Sequence, residues 1–309
     1  MKVLLTGATG FLGTHILRDL LHRNYQVLIA KREETDLSQL LHRFGELDTW
    51  NIEDKGLESL FLKHRDINAI VHAATDYGRD NSKPTTTFWA NETFPIRLIE
   101  LAIENNVSLF TNIDTFFNSS QALYDHLGAY TLSKRHFQEW GQLLGIAHKI
   151  NFANLRLYHL YGPGDSLHKF VPTIVERCLE GKEIDLTDGL QKRDFIHVDD
   201  AASAISTILG AELNREYGYH HYDVGTGMSV PIREFVETVR EICATEVTLN
   251  FGALTTRAGE FKDACADTKA LCSLGWKPMV GLNAGINSVI QDVSRRVSLR
   301  VNRQSRHKK

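Results

Sequence analysis

A glycine-spaced turn held between a strand and a helix constrains this chain more than any other feature. Lys2–Thr6 is a compact apolar run that stops at Gly7, and Gly10 and Gly13 follow at three-residue steps. Leu12, Ile16 and Leu20 then recur at i,i+4, which puts one apolar helix face against the strand. Glycines there permit a tight turn, let backbone approach a pyrophosphate, and let helix and strand pack closely. The helix N-terminus would turn unpaired N–H groups and the positive dipole end toward the phosphates. Glycines alone are a weak signal. The strand before and the amphipathic helix after make it a strong one.

The rhythm continues along the first half. Gln26–Ala30, Ala69–Ala74, Val107–Asn112 and Lys149–Leu157 read as strands, with helical stretches at Asn91–Asn105 and Tyr130–Leu144. Such alternation predicts an α/β chain built on a doubly wound parallel sheet. Gly162-Pro163-Gly164-Asp165 is a turn cluster that marks a change of domain. Phe195–Val198 reads as a short strand and Ala201–Leu209 as a helix. The expected organisation is a dinucleotide-binding domain over 1–165, with 192–224 returning to it. A smaller C-terminal substrate-binding α/β lobe takes 166–191 and 225–294, and 295–309 forms a basic, frayed tail.

Composition excludes several function classes. A formal charge of −3 over 309 residues gives no reason to expect nucleic acid or a membrane surface as partner. No apolar run is long enough to span a bilayer, and the N-terminus carries no signal peptide. The four cysteines, Cys178, Cys243, Cys265 and Cys272, form no CxxC pair. Reduced thiols and a cytoplasmic location are expected. His220 and His221 are adjacent, a spacing that does not suit metal ligation, so no metal is expected.

The coenzyme is chosen at the end of the second strand, where NAD enzymes place an acid for the ribose 2′-hydroxyl. Here Gln26–Ala30 runs into Lys31-Arg32. Two cations suit a 2′-phosphate, which arginine can grip bidentately, so NADP(H) is expected. The competing readings are a solvated basic loop, and an acid supplied by Glu33 or Glu34 after a slip in register.

Tyr130-Thr131-Leu132-Ser133-Lys134 is a YxxxK pattern whose spacing puts both side chains on one helix face. A bare YxxxK usually marks a solvated helix surface. Between the fifth and sixth strands of such a sheet it reads instead as an acid–base pair, the ammonium drawing the phenol's pKa down. Thr115, where Phe110–Thr115 leaves the fifth strand, is the best placed third hydroxyl. Ser119 and Ser120 compete with it, and Tyr124 is the reserve acid. Asp114 should point to the opposite face of the strand.

At this point the chain resembles the extended short-chain dehydrogenase/reductases of the sugar-nucleotide epimerase/dehydratase superfamily, with a Rossmann-type fold. The marks are TGATGFLG (Thr6–Gly13), HAA (His72–Ala74), the YxxxK, LRLYHLYGPGD (Leu155–Asp165), RDFIHVDD (Arg193–Asp200), VGTG (Val224–Gly227) and LGWKP (Leu274–Pro278). The resemblance implies that Thr115, Tyr130 and Lys134 are catalytic. It implies coenzyme contacts from Gly7, Gly10, Phe11, Leu12, Gly13, Lys31 and Arg32, from Asn51 and Ile52 at the adenine, and from Ala73, Ala74 and Thr75 at the nicotinamide. It implies substrate contacts from Tyr77, His159, Lys169, Arg193, Arg257 and Glu260, and a symmetric homodimer. His159 stands where most of the superfamily has asparagine.

A narrower similarity runs through TDYGR (Thr75–Arg79), NIDTFF (Asn112–Phe117), SKRHF (Ser133–Phe137), GPGDSLHKFVP (Gly162–Pro172) and FGALTTRAGE (Phe251–Glu260). These segments look like the bacterial sugar-nucleotide 4-ketoreductases that make CDP-abequose and its relatives, and like the dTDP-fucose-forming reductases. The implied reaction is NADPH-dependent reduction of the C-4 ketone of a dTDP- or CDP-linked 4-keto-6-deoxyhexose, for surface polysaccharide. The related 4,6-dehydratases carry an acidic pair after the catalytic threonine. Here Phe116-Phe117 follow Thr115, which leaves no carboxyl acid to expel water. The alternatives are an NAD-dependent 4-epimerase, which the Lys31-Arg32 cations argue against, and a non-catalytic dinucleotide sensor, which would not need the Tyr–Lys pair.

Overall fold

The computed structural model describes residues 1–306 save 54, 80, 81, 120–126, 148 and 214. Its main sheet has seven strands, six of them β1 (Lys2–Thr6), β2 (Gln26–Lys31), β3 (Asp48–Asn51), β4 (Ile67–His72), β5 (Leu109–Thr115) and β6 (Asn151–Leu157). The seventh is the Tyr219–Val224 strand, and the order runs from it through β6, β5, β4, β1 and β2 to β3. Every pairing is parallel. The chain therefore leaves β1 in one direction for β2 and β3, then returns to β4 on the other side. Ligands of such sheets bind beyond the strand C-termini at that switch point. The expected doubly wound Rossmann-type sheet is present.

The helices packed in this part are α1 (Phe11–His22), α2 (Ser38–Phe44), α3 (Leu57–Lys63), α4 (Pro84–Phe88), α5 (Phe94–Glu104) and α6 (Gly128–Ile146). Covered strands need apolar residues on both faces, which is why Val3-Leu4-Leu5 and Val27-Leu28-Ile29 read as unbroken apolar runs. On one face Phe110 of β5 stacks on Phe152 of β6 at 5.6 Å, and Phe137 of α6 caps both edge-on. Several elements differ from expectation, and β4 ends at His72 rather than Ala74. β3 buries only Trp50, too little to be read from sequence. β5 stays extended through Thr115, three residues past Asn112. Asn91 lies not in an α-helix but in a π-turn, Trp89–Thr93, between α4 and α5.

Two compact units emerge. The first holds Met1–Leu157, Ala201–Val224 and Asp267–Lys277; the second holds Tyr158–Asp200, Gly225–Ala266 and Pro278–Lys309. The division departs from the expected one on both sides of Leu157. Residues 158–165 and 192–200 belong to the second unit, because His159–Tyr161 pairs in parallel with Phe195–His197. Residues 267–277 return to the first unit, where Trp276 Nε1 donates to Ser203 Oγ at 2.9 Å. The second unit has its own core, in which Phe195 stacks on Phe235 at 3.9 Å beside Tyr161 and Val171.

The basic tail is also corrected. A helix spans Leu282–Arg306, and Arg296 donates to the Asp165 carbonyl at 2.7 Å and to Asp292 at 3.2 Å, so Arg295 and Arg296 start no frayed end. No helix among the described residues is long and apolar enough to cross a membrane.

Candidate active site

Gly7 holds a left-handed φ of +72°, and a Cβ there would lie 2.5–2.8 Å from the Ala73 and Ala74 backbone. A Cβ on Gly13 would run into the Gly7 carbonyl. Both positions must stay bare for α1 to start close against β1 and β4. Gly10 caps α1, Phe11 and Leu12 open it half-buried, and the Thr14 hydroxyl ties the turn to the Ala8 and Gly10 carbonyls. Across the switch point Ala74 N–H donates to Thr6 Oγ1 at 3.2 Å, and the same hydroxyl meets His72 Nδ1 at 2.9 Å. Burial, helped by the charge of Lys134, holds the His72 ring neutral. This bare cradle at a helix N-terminus fits a dinucleotide's pyrophosphate.

Lys31, Arg32, Asn51 and Ile52 come together where β2 and β3 end. Lys31 is in register with Asn51, and Ile52 N–H donates to the Lys31 carbonyl at 2.9 Å. The first residue past the strand is Arg32, exposed, its N–H on Thr35 Oγ1 at 3.2 Å. Glu33 and Glu34 follow in the loop, with the Glu33 N–H held by the Glu53 carboxylate at 2.8 Å. The Lys31 ammonium folds back onto the Arg32 carbonyl at 3.2 Å, so the strand end holds both cations and the Glu53 carboxylate.

Thr115 ends β5, and Tyr130 and Lys134 lie one turn apart on α6, both buried. The Thr115 hydroxyl, which accepts from the Phe117 N–H at 3.4 Å, lies near enough to the Tyr130 phenol to draw its pKa down. The electrostatics reverse the sequence expectation for the tyrosine. Burial pushes the Tyr130 pKa well up, aided by Tyr77 and Asp114, while Thr115 and Arg79 pull it down. Burial also lowers Lys134 to about 8, against the opposing pull of Asp114. The charges that bear on the phenol are those of Asp114 and Arg79 rather than Lys134.

Asp114 is corrected too. It shares the strand face of Phe110, which packs under α6 against Phe137 at 5.7 Å, so its carboxylate bears on both Tyr130 and Lys134. Asn118 and Asn154 donate to it at 2.7 and 3.0 Å. Ser119 is exposed; Ser120 and Tyr124 lie outside the described residues. The Phe116 and Phe117 rings, which follow Thr115, meet at 4.3 Å, so the carboxylate next to Thr115 is that of Asp114 before it.

In the second unit His159, Lys169, Arg193 and Glu260 are brought together. Arg193 Nη2 pairs with Glu260 at 2.7 Å, and Lys169 Nζ with Asp165 at 3.0 Å. Burial, then the Arg193 and Lys169 charges, push the His159 pKa down to about 3, so the ring is neutral. Arg257 is not drawn into this group; it sits on an exposed turn whose carbonyl accepts the Glu260 N–H at 3.3 Å. Tyr77 belongs to the first unit, stacked on Tyr130.

The sequence profile of the NAD dependent epimerase/dehydratase family matches residues 3–225. The chain belongs to that family. A CDP-abequose synthase of Salmonella muenchen is 34% identical over 291 residues, covering 94% of this chain and 97% of its own. A dTDP-4-dehydro-6-deoxyglucose reductase of Escherichia coli is 25% identical, covering 94% of this chain and 97% of its own. The crystal structure of a UDP-glucose 4-epimerase from Thermotoga maritima superimposes with a TM-score of 0.82 at 21% identity, over 96% of this chain and 100% of its own. At that identity the likeness speaks for the fold.

Sequence reasoning missed one residue of this family member's site. Asn91, fully buried in the π-turn, accepts from Thr75 Oγ1 at 3.1 Å and Asp76 N–H at 2.8 Å. Its Nδ2 donates to the Asp76 carbonyl at 2.7 Å and to Ser133 Oγ at 3.1 Å. It thereby ties the segment after β4 to the Tyr130–Lys134 turn. A single asparagine opening a helical stretch carried no sign of this, since a π-turn, common at functional sites, cannot be read from periodicity.

Proposed function

We propose that this chain is an NADPH-dependent reductase of the C-4 ketone of a nucleotide-linked 4-keto-6-deoxyhexose, dTDP- or CDP-linked, serving surface polysaccharide synthesis in the cytoplasm. The observation that carries the reading is Tyr130, buried one helical turn from Lys134 on α6 and kept protonated because burial raises its pKa. A reductase needs that proton loaded on its acid before the reaction. Bound NADPH supplies the hydride. Tyr130 then protonates the ketone oxygen, Thr115 orients that oxygen, and Lys134 holds the nicotinamide ribose. The similarity to CDP-abequose synthase supports a 4-keto sugar as substrate. Arg193 and Lys169 are the groups proposed to hold the substrate's diphosphate, with Glu260 now occupying the guanidinium.

The deciding experiment incubates the enzyme with NADPH and dTDP- or CDP-4-keto-6-deoxyglucose, and in parallel with UDP-glucose and UDP-galactose. Stoichiometric coenzyme oxidation with the keto sugars is expected. Interconversion of the UDP-sugars without coenzyme loss would establish the epimerase instead.

Lys31 and Arg32 set the coenzyme preference. The wild type should favour NADPH over NADH in kcat/KM. Arg32→Ala should weaken that preference by roughly 10- to 100-fold, the worth of a charge-assisted hydrogen bond. Equal use of both coenzymes by the wild type would reject the assignment.

A homodimer is proposed from the outer face of the first unit's helices. Phe88, Trp89, Leu132, Trp140, Leu143 and Ile146 are all exposed there, Trp89 at 64% and Ile146 at 62%. Aromatic and aliphatic side chains left in water on neighbouring helices suit a two-fold four-helix contact. Light scattering at micromolar concentration should give about twice 35.0 kDa, and a monomer mass would contradict it.

A further inference from the structure

We propose that Tyr77 and Arg79 form a stacked column that clamps the Tyr130 ring and aims its hydroxyl, making both positioning residues for proton transfer rather than sugar contacts. This rests on Tyr130 being the acid. The Tyr77 and Tyr130 rings stack with centroids 4.9 Å apart and planes 29° from parallel. The Arg79 guanidinium lies 5.3 Å from the centroid of the Tyr77 ring. The Tyr77 ring thus touches both the guanidinium and the Tyr130 ring, and each contact is favoured by the quadrupole of an aromatic face.

The loop that carries the column is built for the purpose. Asn91 anchors Thr75 and Asp76 on one side and Ser133 on the other, and Ser133 Oγ donates to the Tyr130 carbonyl at 3.0 Å. The two stacked rings therefore hang from one buried asparagine. Asp76 accepts from the Gly78 N–H at 2.7 Å and from Ser82 Oγ at 3.1 Å. Gly78, at φ +63°, supplies the reversal that brings Arg79 back over Tyr77. A ring stacked on one face resists the χ1 rotation that would carry its hydroxyl away, so the oxygen stays near the position Thr115 marks. Misplacement by about 1 Å costs about 10²-fold in such transfers. The charged groups bearing on the phenol are consistent with this. Arg79 opposes Asp114, the one stabilising the phenolate that forms and the other the neutral acid.

The test separates kcat from KM. Tyr77→Phe keeps the ring and should hold kcat within about threefold of wild type. Tyr77→Leu should lower kcat by roughly 10- to 100-fold, with both KM values and the NADPH Kd from fluorescence titration nearly unchanged. Arg79→Ala should lower kcat by about 3- to 10-fold, and Arg79→Lys should recover most of it. In a Tyr130→Phe background, Tyr77→Leu should cost nothing further. A raised KM with unchanged kcat in Tyr77→Leu, or a loss of activity in Tyr77→Phe, would make Tyr77 a substrate contact and overturn the column. An inactive Tyr130→Phe beside a fully active Tyr77→Leu would sink the column alone. A fully active Tyr130→Phe would sink the acid assignment on which it stands.

Discussion

Tyr130→Phe should lower kcat by roughly 10²–10⁴-fold, the usual worth of a positioned general acid. The substitution removes one hydroxyl and keeps the ring that stacks on Tyr77 at 4.9 Å, so the fold around α6 should survive. Coenzyme binding, followed by quenching or calorimetry, should change little, because the glycine turn and the Lys31-Arg32 strand end are untouched. The loss should fall on kcat and kcat/KM alike, the signature of an interaction made in the transition state. Thr115 cannot replace the phenol in the variant, since a threonine hydroxyl is far too weak an acid. Near-normal turnover would move the acid elsewhere and leave the stacked phenol as packing.

Lys134→Met should cost roughly 10²–10³-fold in kcat, the worth of one preorganised electrostatic contact. Its pH behaviour is the sharper readout. Burial brings Lys134 down to about 8, so the ammonium is held below that pH and lost above it. Wild-type activity should therefore decline on the alkaline side through an ionisation near 8, and Lys134→Met should lack that limb. Stability runs the other way. The folded-state pKa lies below the ordinary lysine value of 10.5, so the unfolded chain binds more protons between the two. The penalty of the buried charge is fully present below about 8 and is relieved as pH rises toward 10.5. Without coenzyme, Lys134→Met should melt higher than wild type at pH 7, and the gap should shrink as pH rises above 8. A gap that widened with pH would contradict a buried ammonium.

Much of the first unit was legible in the linear chain because its signals are local. A strand that must be buried on both faces reads as an apolar run, and a helix on a sheet repeats at i,i+4. The Gly7, Gly10 and Gly13 turn, the Lys31-Arg32 strand end and the Tyr130–Lys134 spacing each sit within a few residues. β3 escaped notice because it buries one large side chain, Trp50. The unit boundary at Leu157 escaped because a pairing across more than thirty residues, His159–Tyr161 with Phe195–His197, places those segments.

What only tertiary structure decided concerns environment rather than identity. The sequence alone determined the fold class, and it named the glycine turn and the three residues Thr115, Tyr130 and Lys134 as the candidate site. Spacing showed that Tyr130 and Lys134 share a helix face, yet it could not show that burial would raise the one and lower the other. Desolvation depends on everything packed around a group, and that packing comes from β5, α6 and the loop after β4 together. Asp114 turned out to lie beneath the pair because α6 covers the Phe110 face, a choice of side that alternation along one strand leaves open. Asn91 and the Arg79–Tyr77–Tyr130 column are likewise contacts between segments distant in sequence. Local periodicity carries no record of such contacts, because they exist only once the crossover helices have closed onto the sheet.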